Sequence, residues 1–209
     1  MRRTKVKFCG CRRERDVEDA ITAGADAIGF VLTPSPRQIS LEVLAKLAKL
    51  VPRDATPVAI FVTPTREEIR RIEDLRDDFM LQLSTHQALT RFTTGLRVIQ
   101  TIQIDETVRH FQIETALSNL RDGVVLFDTK FDKLNGGTGH PFPWEIVAPF
   151  VCRRRSFIAG GLTAKTVGAC IRMLRPFGVD VSSGIETRGS KDAKKMRRFI
   201  AAVEEADES

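Results

Sequence analysis

Short, largely apolar runs alternate along the chain with stretches whose apolar residues recur every three or four positions. The runs fall at 6–9, 27–32, 57–62, 80–83, 97–104, 123–128, 156–159 and 179–182. Rich in Val, Ile, Leu and Phe and with little polar alternation, they read as strands buried on both faces. Between them lie helices. One over 13–23 stops at Gly24, which can take the left-handed turn of a helix C-terminus. Ser40 can cap a helix over 41–50, whose Leu41, Leu44, Leu47 and Leu50 line one side. Thr65 with Glu68 forms a capping-box pattern ahead of Ile69 and Ile72. The stretches 106–120, 163–174 and 191–205 are similarly periodic, whereas 85–95 is the weakest and reads as one turn or a loop.

Eight β-then-α units at a mean spacing of about 25 residues predict a parallel α/β sheet. Eight units that close on one another make a single (β/α)8 TIM barrel with parallel strands. The competing architecture is an open doubly wound sheet. That fold normally places Gly-x-Gly-x-x-Gly after the first strand, and no such motif follows residue 9. No linker or low-complexity tract divides the chain, so 1–209 is expected to be one catalytic domain.

In such a barrel the chemistry sits where the strands end, on their C-terminal side. The residues there are Cys9-Gly10-Cys11, then Thr33-Pro34-Ser35-Pro36-Arg37, and Asp128 followed by Asn135-Gly136-Gly137-Thr138-Gly139. Gly160-Gly161 and Ser182-Ser183-Gly184 close the circuit. Glycines let backbone N–H groups approach an anion, and serine hydroxyls add donors. Barrels often hold a phosphate at the loops after the seventh and eighth strands. Each glycine pair alone is also ordinary turn chemistry; three such loops on one rim favour an anion site. A Cys and an Asp on opposite walls above that site suggest proton transfer, with a thiolate as base and a buried carboxylic acid as donor. A cysteine at a strand end is, taken by itself, commonly core.

Composition narrows the setting. Hydrophobic residues make up 42% and charged residues 29%, an ordinary balance for a folded domain. No apolar run approaches the ~20 residues of a membrane span, and the opening Met1-Arg2-Arg3-Thr4-Lys5 leads into a strand too short and polar for a signal peptide. A cytoplasmic protein with no membrane partner is expected. Cys9, Cys11, Cys152 and Cys170 have neither zinc nor redox spacing, so reduced thiols are expected. The net charge of +6 comes from clusters such as Arg153-Arg154-Arg155 and Lys194-Lys195-Met196-Arg197-Arg198. Solvated faces account for them, with attraction of small anions as the functional reading. No nucleic-acid partner is expected, because no RNA-binding aromatic motif, zinc finger or long basic tail accompanies the charge.

The ordered motifs resemble the phosphoribosylanthranilate isomerase family. Lys7-Phe8-Cys9-Gly10 is similar to its Lys-Ile-Cys-Gly opening, Gly24-Ala25-Asp26-Ala27-Ile28-Gly29-Phe30 to its second-strand entry, and Ser35-Pro36-Arg37 to its Ser-Pro-Arg loop. Leu126-Phe127-Asp128-Thr129, Gly136-Gly137-Thr138-Gly139 and Ala159-Gly160-Gly161-Leu162 resemble the sixth and seventh units. Arg175-Pro176-Phe177-Gly178-Val179-Asp180-Val181-Ser182-Ser183-Gly184-Ile185-Glu186 resembles the eighth. The likeness runs from about residue 5 to 200. It implies an Amadori rearrangement of N-(5-phosphoribosyl)anthranilate, the third step of tryptophan biosynthesis, without cofactor or metal. It implies Cys9 as the base at C2, Asp128 as the acid at the ring oxygen and Arg37 at the anthranilate end. Gly137, Gly139, Gly160, Gly161, Ser183 and Gly184 would surround the phosphate of this small phosphorylated substrate. A monomer or homodimer is expected. The chain departs from the family at Ser84-Thr85, in place of His-Gly, with His86 read as a surface residue, and at His140, in place of Lys. Another sugar-phosphate isomerase or epimerase on the same phosphate-binding barrel is the alternative reading.

Overall fold

The structure is a computed structural model that describes residues 3–84, 94–105, 107–118, 120, 123–129 and 142–209. Eight parallel strands form a closed barrel in chain order. They are β1 Lys5–Cys9, β2 Ala27–Val31, β3 Thr56–Phe61, β4 Met80–Leu83, β5 Arg97–Ile104, β6 Val124–Thr129, β7 Ser156–Ile158 and β8 Gly178–Val181. Each lies within one residue of its expected bounds. The ring closes where Lys5, Val6, Lys7 and Phe8 of β1 pair with Gly178, Val179, Asp180 and Val181 of β8. That pairing rules out the open doubly wound sheet.

Successive side chains of a strand point to opposite faces. In a closed sheet one face is the lumen and the other meets the helices. Ala27, Val31, Val58, Ile60, Met80, Ile99, Leu126, Phe157 and Ala159 fill the lumen, with Cys9 packed against them. The outward set, including Val6, Phe8, Ile28, Phe30 and Leu81, joins the helices in the larger core. Phe8 meets Phe199 edge to face at 6.1 Å.

The helices are α1 Glu14–Ala23, α2 Leu41–Leu47, α3 Arg66–Leu75, α4 His110–Ser118, α5 Ala148–Val151, α6 Val167–Leu174 and α7 Ala193–Asp207. Gly24 ends α1 at φ 96°, and its N–H donates to the carbonyls of Ala20 and Ile21. The Thr65–Glu68 capping box forms, with Thr65 N–H donating to Glu68 at 2.7 Å. Three expected helices differ in extent, the 106–120 helix beginning only at His110. The expected 41–50 helix tightens to a 3-10 turn over Ala48–Leu50. The expected 163–174 helix begins only at Val167, because the N–H of Thr163 donates to the Thr166 hydroxyl at 3.0 Å and holds a separate turn. Residues 85–93 of the weak 85–95 stretch lie outside the described residues. Among the described residues, no helix is long and apolar enough to cross a membrane.

The β1–β8 seam is tight. A Cβ on Gly178 would overlap the Phe157 ring and stand 2.8 Å from the Lys5 carbonyl oxygen. Gly178→Ala is therefore expected to destabilise the fold by about 1–3 kcal/mol. Urea unfolding measures this, and an unchanged midpoint would mean that the seam has room.

Candidate active site

The two-residue repeat of β1 sends Lys5, Lys7 and Cys9 to one face. Cys9 ends the strand at the lumen mouth, and Asp128 occupies the corresponding end of β6. Around the ring β8 and β7 stand between these two strands, so thiol and carboxyl approach the mouth from different walls. They share one electrostatic environment. Burial pushes the Asp128 carboxyl up to about 7, the charge of Asp180 adds to the effect, and a hydrogen bond from the Thr129 backbone and the charge of Lys7 oppose it. Burial also raises the Cys9 thiol, Asp180 and Asp128 raise it further, and Lys7 and Lys191 pull it down.

Lys7 and Asp180 form an ion pair beneath that mouth, at 2.6 Å. Burial works against the Lys7 ammonium, yet Asp180 and Cys9 outweigh it and its pKa ends above the ordinary value. On the β4–β5 wall, Gln82 donates its amide to the Thr101 hydroxyl at 3.2 Å. Its carbonyl oxygen is buried and has no partner among the described residues.

Arg37 arches over the end of β1. Gly10, at φ 79°, makes room for it, since a Cβ there would stand 2.5 Å from Arg37 Cδ. The guanidinium is fixed by two bonds to Glu186, from Nε at 2.7 Å and Nη2 at 2.8 Å. Lys191 holds the same carboxylate at 2.9 Å and donates to the Ser182 carbonyl at 3.0 Å. The Ser182 hydroxyl donates to the Cys9 carbonyl at 3.1 Å, so one chain of polar contacts joins Arg37 to the backbone of Cys9. Burial opposes the Glu186 charge, but its two cationic partners bring its pKa down to about 2.

The structure brings the last two glycine loops together. A Cβ on Gly184 would overlap the Leu162 carbonyl, and one on Gly160 would overlap the Thr129 side chain. Gly160 and Gly161 take φ 82° and 66°, where side chains are strained. The N–H groups of Gly160, Gly161, Ser183 and Gly184 donate to no described residue, and the Thr129 hydroxyl is buried without a partner among them. Gly137, Gly139, His86 and His140 lie outside the described residues.

The reading of strand ends missed Lys7, Asp180, Glu186 and Lys191. For the first two a signal existed: each is the one charge within its apolar run, 6–9 and 179–182, and a charge buried there needs a partner.

A thiol and a raised carboxyl at one mouth of a closed (β/α)8 barrel, beside donor-rich glycine loops, define a class of barrel protein with titratable groups where its strands end. Comparison with known proteins narrows that class. Residues 6–202 match the profile of the N-(5'phosphoribosyl)anthranilate (PRA) isomerase family. An N-(5'-phosphoribosyl)anthranilate isomerase from Streptococcus pneumoniae (strain Hungary19A-6) is 40% identical over 201 residues, 96% of each chain. The phosphoribosylanthranilate isomerase structure from Thermotoga maritima superposes with a TM-score of 0.80 at 29% identity, covering 97% of this chain and 99% of its own. Another member was solved in complex with reduced 1-(o-carboxyphenylamino)-1-deoxyribulose 5-phosphate; its TM-score is 0.77 at 28% identity, with the same coverage. The chain belongs to the phosphoribosylanthranilate isomerase family and is an isomerase.

Asp128 has a cost in stability. Its folded-state pKa of about 7 stands above the ordinary 3.8, so ionisation opposes folding above pH 3.8 and does so fully above pH 7. Asp128→Asn is expected to stabilise the protein above pH 7 by up to about 4 kcal/mol. The gain should shrink to nothing as pH falls towards 4. Urea unfolding across this range checks the sign, and a difference independent of pH would contradict a carboxyl held in its neutral form.

Proposed function

We propose that this isomerase converts N-(5-phosphoribosyl)anthranilate to 1-(2-carboxyphenylamino)-1-deoxyribulose 5-phosphate, with Cys9 as base and Asp128 as acid. Asp128 gives its proton to the furanose ring oxygen. The C1–O bond breaks, and the nitrogen lone pair forms the C1=N Schiff base. The Cys9 thiolate then takes the proton from C2, whose electrons form the C1=C2 bond of an enolamine as the C=N electrons return to nitrogen. Tautomerisation moves the hydroxyl proton to C1 and leaves the ketone at C2.

The observation that carries this reading is the raised Asp128 carboxyl in the same electrostatic environment as Cys9. A donor with a pKa of about 7 retains a proton near neutrality, where an ordinary carboxylate has lost it. Arg37, locked by Glu186, offers its guanidinium to the anthranilate carboxylate. The N–H groups of Gly160, Gly161, Ser183 and Gly184 suit the phosphate, and the family resemblance assigns Gly137 and Gly139 to the same group. Every group named comes from one chain, so a monomer and a homodimer serve equally. A cytoplasmic setting, which keeps thiols reduced, suits a cysteine base.

Cys9→Ser and Asp128→Asn are each expected to lower kcat by about 10²–10⁴-fold, with the folded state checked by circular dichroism. The assay is the loss of anthranilate fluorescence from substrate made in situ. Near-normal rates in both variants would remove the assigned roles.

The pH profile follows from the two shifts. The working form has a Cys9 thiolate and a protonated Asp128, hence one proton shared by the pair. That count holds between about 7, where Asp128 titrates, and the raised pKa of Cys9, above its ordinary 9.0. The kcat/KM is therefore expected to rise through about pH 7, stay level and fall only above 9. In Asp128→Asn the limb near 7 should vanish. A limb that persists there would belong to the substrate phosphate instead.

A further inference from the structure

Lys7 is the most deeply buried charge in the lumen, with a side chain that has 0% exposure. Its ammonium sits in a hollow left by Gly29, where a Cβ would stand 3.1 Å from Nζ and 3.2 Å from the Cys9 Cα. Stability is a poor reason for such a group. Bringing two charges out of water costs about as much as their attraction returns, and an apolar pair of similar volume commonly does as well. Apolar residues already fill neighbouring lumen positions, including Ala27 and Phe157. The place of Lys7 is more telling: it lies two residues before Cys9 on one strand, on the same face.

We propose that Lys7 is a positioning residue of the reaction: clamped by Asp180 in the Gly29 hollow, its ammonium stands below Cys9 and holds the thiolate that takes the substrate proton. This rests on Cys9 being the base. The charges acting on Cys9 come from five elements: Lys7 on β1, Asp180 on β8, Asp128 on β6, Lys191 on the short strand after β8, and Arg37 on the loop after β2, which also favours the thiolate. The two lysines favour the thiolate and the two aspartates oppose it, with Lys7 the strongest of the four. Lys191 is partly spent on Glu186, 2.9 Å away. Asp180 keeps Lys7 charged inside the barrel, at the expense of its own repulsion on the sulfur. The acceptor for the C2 proton thus depends on a cation that need not touch the substrate.

The test is the pH dependence of Cys9 alkylation by iodoacetamide in the free full-length enzyme, followed by peptide mass mapping so that the other cysteines do not interfere. Lys7→Met removes the cation that most favours the thiolate, so the Cys9 titration should move up by about one unit or more. At pH 8 alkylation should then slow by about tenfold. Lys7→Met/Asp180→Asn removes both charges and avoids an unpaired carboxylate, which protects against misfolding. Its titration should also move up, by less. In both variants kcat should fall and the alkaline limb of activity should move with the thiol. If Cys9 reacts within about twofold of wild type at pH 8 in whichever variants fold, Lys7 has only a packing role and the proposal is overturned. Should Cys9→Ser retain activity, the base assignment fails separately, whatever the titration shows.

Discussion

A closed sheet of eight strands leaves no edge, and each residue on a strand faces either the lumen or the helices. In β1 that choice places Val6 and Phe8 in the outer core and turns Lys7 and Cys9 to the lumen. The β8 register then brings Asp180 level with Lys7. A slip of one residue would turn Lys7 into the apolar layer beneath the helices and withdraw Cys9 from the mouth. Barrel closure and the placement of the reactive groups therefore share one constraint. The crowding at Gly178 helps to fix it, because Phe157 and Lys5 occupy the space that a side chain would need.

Above the ion pair, the site is held by linked contacts. Glu186 grips Arg37 and Lys191 together; Lys191 reaches Ser182, and Ser182 reaches the backbone of Cys9. The group proposed to receive the anthranilate end is thereby tied to the residue proposed to remove the proton. Both carboxylates in these networks, Glu186 and Asp180, have a cation within 3 Å. Asp128 differs: no ion pair of Asp128 is found among the described residues, and burial raises its pKa. Asp180 on β8 and Asp128 on β6, separated by β7, are thus held in different ways by their surroundings.

Much of this was legible in the sequence. Strands buried on both faces lose polar alternation, so their apolar runs stood out, as did the glycines and Asp128 where the runs stop. Helix ends were less legible. Thr163 and Thr166 form a local turn through a hydroxyl, which periodicity cannot register. Lys7 and Asp180 are 173 residues apart and become neighbours only when β8 meets β1. As a lone charge in an apolar run, each signals a need for a partner without identifying it. The hairpin of Glu186–Thr187 with Ser190–Lys191 is equally obscure. Its turn places Arg188 and Gly189 at φ 51° and 74°, and its two-residue strands are too short to show a period.

The proton balance explains why a cation below the sulfur matters. With the Asp128 pKa near 7 and that of Cys9 above 9, the favoured arrangement of one proton on the pair is a thiol beside a carboxylate. The proposed reaction begins from the opposite arrangement, so only a minority of molecules is poised to react at any moment. Once Asp128 has given its proton and Cys9 has taken one, the pair has reached its favoured state, and this relaxation helps drive the forward step. The same gap limits how often the working form is populated. A lysine that lowers the thiol narrows the gap and populates the working form, while burial leaves Asp128 a proton to give and the Thr129 N–H limits how far its pKa rises. An Asp180 much closer to the sulfur would widen the gap again. It stands instead 2.6 Å from Lys7, two positions further into the barrel than Cys9, and from there raises Cys9 and Asp128 together.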